Sequence, residues 1–217
     1  FKPTLLYPLK RMSDEYNIVQ FNKLEKSSTK KYTTQLYRKN NENKYEKLIK
    51  ETKANTTLKQ KYFNNFMLEN ELELCVGCKV MVTANIDFDA GIVNGSQGKI
   101  VGFETINSYE QYPVVEFTKT KLRRIIEPHS WLSNDEQFKV EQLPLILSWA
   151  ITIHKSQGIT LENARINLGS SVFEYGQSYV ALSRVKSLNG LYLDSINFKK
   201  IKTNPKVVKF YRNIKNK

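Results

Sequence analysis

Residues that build metal and redox centres are scarce in this sequence. Its 217 residues include two cysteines and two histidines, and the cysteines form a single Cys75-x-x-Cys78 pair. A structural zinc site needs about four ligands at a characteristic spacing, but here no second pair follows and both histidines lie far away. We therefore interpret Cys75 and Cys78 as ordinary, partly buried residues and predict no metal site.

Long apolar runs are absent as well. No stretch approaches the ~20 apolar residues that a membrane span needs, and the first residues lack the pattern of a secretion signal. These absences predict a soluble intracellular protein that does not act on a membrane.

Acidic residues are few relative to basic ones. The chain has 34 Lys and Arg against 21 Asp and Glu, which gives a net charge of +13. Such an excess favours polyanionic partners, usually nucleic acid or an anionic membrane surface. For the lysines of 23–61 an equally good interpretation is that they solvate the outer face of helices.

The chain opens with the pattern of an α/β protein. Leu5–Tyr7 predicts a strand, and Ser13-Asp14-Glu15 is typical of a helix cap. A strand followed by a helix indicates a parallel sheet. We expect the apolar face of this helix at Tyr16, Val19, Phe21 and Leu24. Between 27 and 70, helical spacing predicts one or two helices joined by a polar loop. The residues at that spacing are Tyr45, Leu48, Ile49, Leu58, Tyr62, Phe63 and Phe66.

From 77 to 142 the pattern changes to short apolar stretches separated by turn signals, which is typical of β-hairpins. The predicted strands are Lys79–Thr83, Gly98–Phe103 and Pro113–Phe117. The run 143–153 is apolar enough for a strand of a parallel sheet buried on both faces. The last expected elements are a strand at Ala164–Leu168, a helix near 176–184, a strand at Gly190–Leu193 and a basic tail at Lys199–Lys217.

The most informative feature is the junction at 148–158, which reads SWAITIHKSQG. An apolar strand runs there into small and polar residues, and parallel sheets present such turns at the carboxyl edge, where ligands bind. A second segment, GQSYVALSR at 176–184, predicts a helix with Arg184 at its end. The apolar face of that helix is expected at Tyr179, Val180 and Leu182.

These two segments closely resemble motifs V and VI of superfamily-one helicases of the Pif/RecD type. Further similarity to that family lies in Val76–Met81, in Ile86-Asp87 followed by 91–98, and in Pro3–Pro8 with Asp14 and Asn17 after it. Matches at several separated places in the right order are more specific than any single one. The lysine-rich stretch from about 25 to 65 lies outside the resemblance.

The resemblance implies a RecA-like parallel sheet, the second motor domain of such a helicase, with an inserted small SH3-like β-barrel. It implies three parts. Residues 1–76 would form the first part of the RecA-like domain with a basic helical segment, 77–142 the inserted barrel, and 143–217 the remainder of the RecA-like domain with its basic tail.

The glycine-rich loop that cradles ATP phosphates, Gly-x-x-x-x-Gly-Lys-Ser/Thr, is missing from the sequence. An acidic pair that follows a strand and could hold magnesium is missing too. We therefore expect an amino-terminal RecA-like domain before Phe1 to hold most of the ATP and Mg²⁺. The chain alone is expected to be inactive.

ATP in such a motor lies between two domains, and the charge that develops as its terminal phosphoryl group leaves needs a cation from the opposite wall. Arg184 is the predicted catalytic cation, because a guanidinium stays charged and can contact two phosphate oxygens. The alternative is a surface arginine that closes a helix. Further ATP contacts are expected at Gln157, Gly158, Gln177 and Arg11. The contact to the terminal phosphate assigned to Arg11 could instead be made by Lys10.

Gripping single-stranded DNA without reading its sequence requires donors to the phosphate backbone. Within the junction these donors are predicted to be Thr152, His154, Lys155 and Ser156. Asn94 opens a glycine-rich segment that forms either an anion-binding nest of backbone N–H groups or a plain hairpin turn.

The leading hypothesis is the carboxyl-terminal motor domain of an ATP-dependent DNA helicase that acts on single-stranded or forked DNA, moving 5′ to 3′ by resemblance. One alternative is a non-catalytic basic module that clamps nucleic acid and does not need Arg184. Another is a small RNA-binding barrel, which would place binding in 77–142 and leave 148–158 idle. Replication, repair and recombination are not distinguished by the sequence.

Overall fold

The structure, a computed structural model, describes residues 2–48, 56–57, 68–106 and 109–215. Its strands are β1 Thr4–Tyr7, β2 Lys30–Thr33, β3 Gln35–Lys39, β4 Tyr45–Lys47, β5 Glu71–Leu74, β6 Lys79–Val82, β7 Gln97–Ile106, β8 Glu110–Phe117, β9 Arg123–Ile125, β10 His129–Leu132, β11 Phe138–Gln142, β12 Leu145–Leu147, β13 Ala150–Thr152, β14 Ala164–Leu168 and β15 Leu191–Ile196. Its helices are α1 Lys10–Phe21, α2 Gln177–Leu182 and α3 Pro205–Lys215. None of the helices in the described residues combines the length and apolar character needed to cross a bilayer.

The chain divides into two compact units. Unit 1 comprises Phe1–Gln20 and Ser148–Lys217, and unit 2 comprises Phe21–Leu147. These limits differ from the expected divisions at 76/77 and 142/143, because β3 of the expected first part pairs with β11 of the expected barrel. The three-part assignment of domains stays a prediction.

Unit 1 is built on a four-stranded sheet with the order β13-β1-β14-β15, in which all neighbouring strands run parallel. This confirms the predicted α/β class and parallel sheet. Leu6 of β1 pairs with Ile151 on one side and Ile166 on the other, and all three side chains are buried. Because residues in register on neighbouring strands lie on the same face, these three side chains form part of one buried face of the sheet.

Helix α1 begins at Lys10, so the prediction that Ser13-Asp14-Glu15 caps it is wrong. The Ser13 hydroxyl instead donates to the Lys10 carbonyl at 2.7 Å inside the first turns, a local bond that a helical serine can make without ending the helix. The predicted apolar face is right at Phe21, which is buried, and wrong at Val19, which is 51% exposed. The buried positions are Ser13, Asn17 and Phe21, four residues apart.

The described residues of unit 2 form three antiparallel sheets. The largest has the order β12-β6-β7-β8-β9, a second has the order β10-β11-β3-β4, and β2 pairs with β5. The strands predicted near 79, 98 and 113 are confirmed as β6, β7 and β8. Gly98 must be a glycine there, because a Cβ would lie 2.5 Å from Cγ1 of Val115 and 2.7 Å from the Glu116 carbonyl oxygen.

The helices predicted within 27–48 are wrong, because this stretch forms β2, β3 and β4. Leu36 of β3 is buried against Leu68 and Val140, so its alternating pattern is that of a half-buried strand. The other residues predicted to be helical, Ile49, Leu58, Tyr62, Phe63 and Phe66, lie outside the described residues.

The apolar run 143–153 is divided between the two units, which corrects the prediction of one buried parallel strand. Its first half forms β12, antiparallel to β6 in unit 2. Its second half forms β13, parallel to β1 in unit 1. Both halves are apolar because both strands are largely buried, so hydrophobicity alone could not reveal the division.

Lys79 of β6 yields a prediction about stability. Its side chain is 8% exposed, and burial lowers its pKa to about 8, against 10.5 for an ordinary lysine. A base whose pKa is lower in the folded state destabilises the fold at neutral pH, and the effect fades as pH rises from 8 towards 10.5. We expect Lys79→Met to raise the free energy of unfolding by about 1–3 kcal/mol at pH 7, and by less as pH rises.

Urea unfolding at several pH values measures this change. The matched control is Lys99→Met, because Lys99 lies opposite Lys79 in the β6–β7 register but is exposed. That variant should change stability by less than about 0.5 kcal/mol at every pH. A gain for Lys79→Met that does not depend on pH would contradict the assignment.

Candidate functional site

The carboxyl edge of the parallel sheet gathers polar loops. Strands β1, β13 and β14 end there, and the loops after them are joined by side-chain hydrogen bonds. Nε2 of Gln177 donates to the Pro8 carbonyl at 3.2 Å, and the Phe173 N–H donates to Oε1 of Gln177 at 3.1 Å. Nε2 of His154 lies 2.7 Å from Oε2 of Glu174. Two predicted site residues, His154 and Gln177, are thus brought to one loop.

The turn after β13 is held together by its own hydroxyl groups. Oγ1 of Thr152 accepts a hydrogen bond from the Lys155 N–H at 3.0 Å, and the Ser156 hydroxyl donates to the Ile153 carbonyl at 2.7 Å. Thr152 and Ser156 are both buried. Their side chains therefore shape the turn, whereas the exposed His154 and the half-buried Lys155 are the side chains that it offers to a ligand.

Gly158 ends the turn in the left-handed region, with φ of +79°. A residue with a Cβ is strained in this conformation even where space is open, as it is here. The glycine is therefore explained by the backbone path. Gln157 and Gly158 are both exposed.

Asn17 fixes the strand that leads into this turn, a role that the sequence did not indicate. Its Nδ2 donates to the Ala150 carbonyl at 2.8 Å, and the Ala150 N–H donates to its Oδ1 at 2.9 Å. Strand β13 is an edge strand, and the two bonds satisfy backbone groups on its outer side. The Asn17 side chain of α1 thus bonds the outer edge of β13 as the backbone of a neighbouring strand would.

Arg184 lies just beyond α2, where its guanidinium is oriented by three hydrogen bonds. Nε donates to the Val180 carbonyl at 2.9 Å, Nη2 to Oγ of Ser183 at 2.8 Å and Nη1 to the Ile159 carbonyl at 3.4 Å. Ile159 directly follows Gly158, so the structure places Arg184 against the end of the junction. The buried face of α2 is Gln177, Ser178 and Ala181, and the predicted face is wrong because Tyr179 is exposed.

The remaining predicted site residues are Arg11 and Asn94. Arg11 is exposed on α1, with its Nε 3.7 Å from a carboxylate oxygen of Glu15. The neighbouring Lys10 forms an ion pair with Asp14 at 2.7 Å. Asn94 belongs to unit 2, where its backbone N–H donates to Oδ1 of Asn85 at 3.0 Å and its side chain is exposed.

The cysteine pair is placed for packing. Cys75 and Cys78 are fully buried, with their sulfur atoms 3.6 Å apart. Burial raises the pKa of Cys78 to about 12, which disfavours the thiolate that metal binding and redox exchange require. Within the described residues, no group of three or more His, Cys, Asp or Glu side chains could hold a metal ion.

Removing the Asn17 amide should loosen the edge of the sheet. We expect Asn17→Ala to lower the free energy of unfolding by about 2 kcal/mol, because it leaves two buried backbone groups of Ala150 without partners. Chemical denaturation measures the loss. Asn22→Ala is the matched control, since Asn22 lies just after the same helix but is exposed and bonds only Lys26 among the described residues. Equal effects of the two substitutions would show that the Asn17 bonds do not hold β13.

Comparison with known proteins gives a consistent picture. The family model for the 2B domain of DNA helicase Pif1 matches residues 58–103. The ATP-dependent DNA helicase PIF1 of Xenopus laevis is 40% identical over 147 residues, which cover 66% of this chain and 22% of that protein.

Solved structures extend the similarity over the whole chain. The crystal structure of Pif1 helicase from Candida albicans matches with a TM-score of 0.73 and 29% identity, covering 99% of this chain and 50% of that one. Bacteroides Pif1 bound to single-stranded DNA matches with a TM-score of 0.62 and 25% identity, covering 99% and 46%. The chain therefore spans half or less of the length of each of these proteins.

Proposed function

The chain is a Pif1-like helicase region, similar to the carboxyl-terminal part of Pif1 helicases in sequence and fold, and from this premise we propose that it is the second motor domain of an ATP-dependent DNA helicase. In this proposal unit 1 is the RecA-like domain, and the five-stranded sheet of unit 2 forms the inserted SH3-like barrel. An amino-terminal RecA-like domain of the same protein would hold most of the ATP and Mg²⁺. Movement would run 5′ to 3′ on single-stranded or forked DNA.

The observation that carries the proposal is the placement of Arg184. A guanidinium has five N–H donors, and three of them are used to fix its plane against Val180, Ser183 and Ile159. Within the described residues, one N–H on each terminal nitrogen is left for an outside acceptor. Two such donors on one fixed plane suit a pair of phosphate oxygens.

Arg184 would act as the arginine finger. Negative charge develops on the phosphoryl oxygens in the transition state, and a fixed cation there needs little reorganisation when the charge appears. The three internal hydrogen bonds supply that fixed position. Gln157 and Gly158 would line the same ATP-facing side, since their segment adjoins the guanidinium through Ile159. Gln177 would position the loop at Pro8 and Phe173, and Arg11 would reach the nucleotide from α1.

The turn after β13 would grip DNA. His154 and Lys155 are its outward side chains, and Thr152 and Ser156 would contribute by fixing the backbone that carries them. An exposed imidazole beside a half-buried ammonium group can contact phosphate oxygens of any sequence. Asn94 would add a separate contact from unit 2.

A non-catalytic nucleic-acid clamp is the second candidate, and one observation favours it. The three inward hydrogen bonds of Arg184 are also what an arginine that merely closes a helix would make. Such a clamp would still bind DNA through its net charge of +13. The two candidates differ in whether ATP hydrolysis depends on Arg184.

Substituting Arg184 tests the motor. In a full-length protein that carries this region, we expect Arg184→Ala to lower DNA-stimulated ATPase kcat by about 10³-fold or more while single-stranded DNA binding persists. Arg184→Lys should also fail, because an ammonium lacks the planar pair of donors. Arg212→Ala, an exposed arginine of the same unit, is the control and should keep its activity. Full ATPase activity in Arg184→Ala, or none in the unmodified protein, would favour the clamp.

Substituting Lys155 tests the DNA contact. We expect Lys155→Ala to weaken binding equally for different single-stranded sequences and to reduce the slope of log K against log salt by about 0.7. Fluorescence anisotropy over a salt series measures both quantities. Lys199→Ala, an exposed lysine elsewhere in unit 1, is the control. An unchanged slope for Lys155→Ala would remove this residue from the DNA contact.

A further inference from the structure

Unit 2 contains an open cleft that no assigned role explains. It has a volume of about 510 Å³ and lies among β2, β3, β4, β8 and β11. We call it the tyrosine cleft, defined by Lys30, Lys31, Lys47, Tyr32, Tyr109 and Tyr112 on its walls. Lysines interleaved with aromatic rings are the composition of surfaces that follow a single nucleic-acid strand.

Hydrogen bonds within the protein connect the strands that line the tyrosine cleft. The Tyr32 hydroxyl donates to the Gln111 carbonyl at 2.7 Å and so links β2 to β8. Nε2 of the buried Gln142 donates to the Tyr32 carbonyl at 3.1 Å and to Oγ1 of Thr34 at 3.0 Å. These bonds hold the walls in place, so a ligand would meet a largely ordered surface.

The carboxylates beside the cleft have partners within the protein. Oε1 of Glu141 accepts a hydrogen bond from the Tyr37 hydroxyl at 3.3 Å, and its Oε2 lies 3.2 Å from Nζ of Lys139. Oε2 of Glu110 accepts from the Tyr112 hydroxyl at 2.7 Å. Lys139 therefore offsets the charge of Glu141, whereas the Tyr112 hydroxyl orients the Glu110 carboxylate without removing its negative charge.

The three lysines of the cleft differ in whether they form an ion pair within the protein. Lys31 forms an ion pair with Glu71 at 2.7 Å. Lys30 and Lys47 have no ion pair within the described residues, so both ammonium groups are available to an anion. Together they give the cleft positive charge that is not used internally.

Tyr109 is the most unusual member. It lies just before β8 at the rim of the cleft and is 92% exposed, the highest value among the exposed large hydrophobic residues described in the structure. An aromatic ring left in water is available to stack on a planar group, and every nucleic-acid base offers one.

We propose that the tyrosine cleft binds single-stranded nucleic acid, with a base stacked on Tyr109 and backbone phosphates held by Lys30 and Lys47. This contact lies in unit 2 and is separate from the turn after β13. It uses residues from the lysine-rich stretch that the family resemblance did not cover. It applies equally to the motor and to the clamp, so it stands apart from the assignment of Arg184.

Anisotropy of labelled oligothymidylate and oligouridylate on the intact chain tests the proposal. We expect Tyr109→Ala to weaken binding by about tenfold and Tyr109→Phe to bind normally, because stacking needs the ring and not the hydroxyl. The double variant Lys30→Ala/Lys47→Ala should reduce the salt slope by about 1.4, two phosphate contacts at about 0.7 each. Both oligomers should respond alike if stacking and phosphate contacts dominate.

Matched controls come from the same unit. Phe88→Ala removes another exposed aromatic ring, and Lys119→Ala/Lys121→Ala removes two other exposed lysines. Both should bind as the unmodified chain does. Normal binding by Tyr109→Ala and by the double lysine variant, with loss in Lys155→Ala, would overturn the cleft proposal and leave the turn after β13 intact. Displacement of the oligomers by polyglutamate at lower concentration than by unlabelled oligothymidylate would also overturn it, in favour of an acidic peptide.

Discussion

The pairing of β1 with two strands from the far end of the chain is the constraint on which unit 1 depends. β1 lies between β13 and β14, and the Thr4 hydroxyl donates to the Ser148 carbonyl across 144 residues of sequence. The sheet therefore forms only when the chain returns after unit 2. Long insertions add little closure entropy once the ends are fixed, since the cost grows only with the logarithm of length. An insertion as large as unit 2 can thus be carried without weakening the sheet.

The same pairing places the chemistry. Because β13 is parallel to β1, its carboxyl end lies beside that of β1, and the turn at 152–158 emerges at the edge where α1 and the loop before α2 also begin. Asn17 then holds the outer side of β13 two residues before Thr152. A shift of this strand by one residue would turn each side chain to the other face and move the whole turn.

The sequence predicted well where local pattern and tertiary partner agree. Short strands such as β1 and β14 are readable because one face of each is buried, so that buried residues alternate along the strand. The stretch 27–48 was not readable, because its lysines, asparagines and threonines carry weak local preferences. Its strands are fixed by partners far along the chain, as when β3 pairs with β11. The division of 143–153 between two sheets escaped prediction for the same reason, since burial looks alike in both.

The candidate site shows the same limit at the level of side chains. Motif similarity pointed to Arg184, His154 and Gln177, but not to the partners that orient them. Glu174 has no distinctive local pattern, and the resemblance included Asn17 without indicating what it contacts. Their roles arise from contacts 20 and 133 residues away in sequence. Only the fold brings such pairs together.

The residues of the junction have different roles, because some of its polar groups form hydrogen bonds within the turn and others do not. Thr152 and Ser156 direct their hydroxyls inward, so a change at either would alter the turn before it altered a contact. His154 and Lys155 face outward at one end of the turn, and Ile159 accepts a hydrogen bond from Arg184 just beyond the other. In the proposed motor, Arg184 would move with the nucleotide and displace the Ile159 carbonyl to which it is bonded. The backbone from Ile159 through Gly158 would then transmit that displacement to Lys155. Glycine at 158 permits the left-handed turn on that path, and a side chain there would strain the segment that links the two ends.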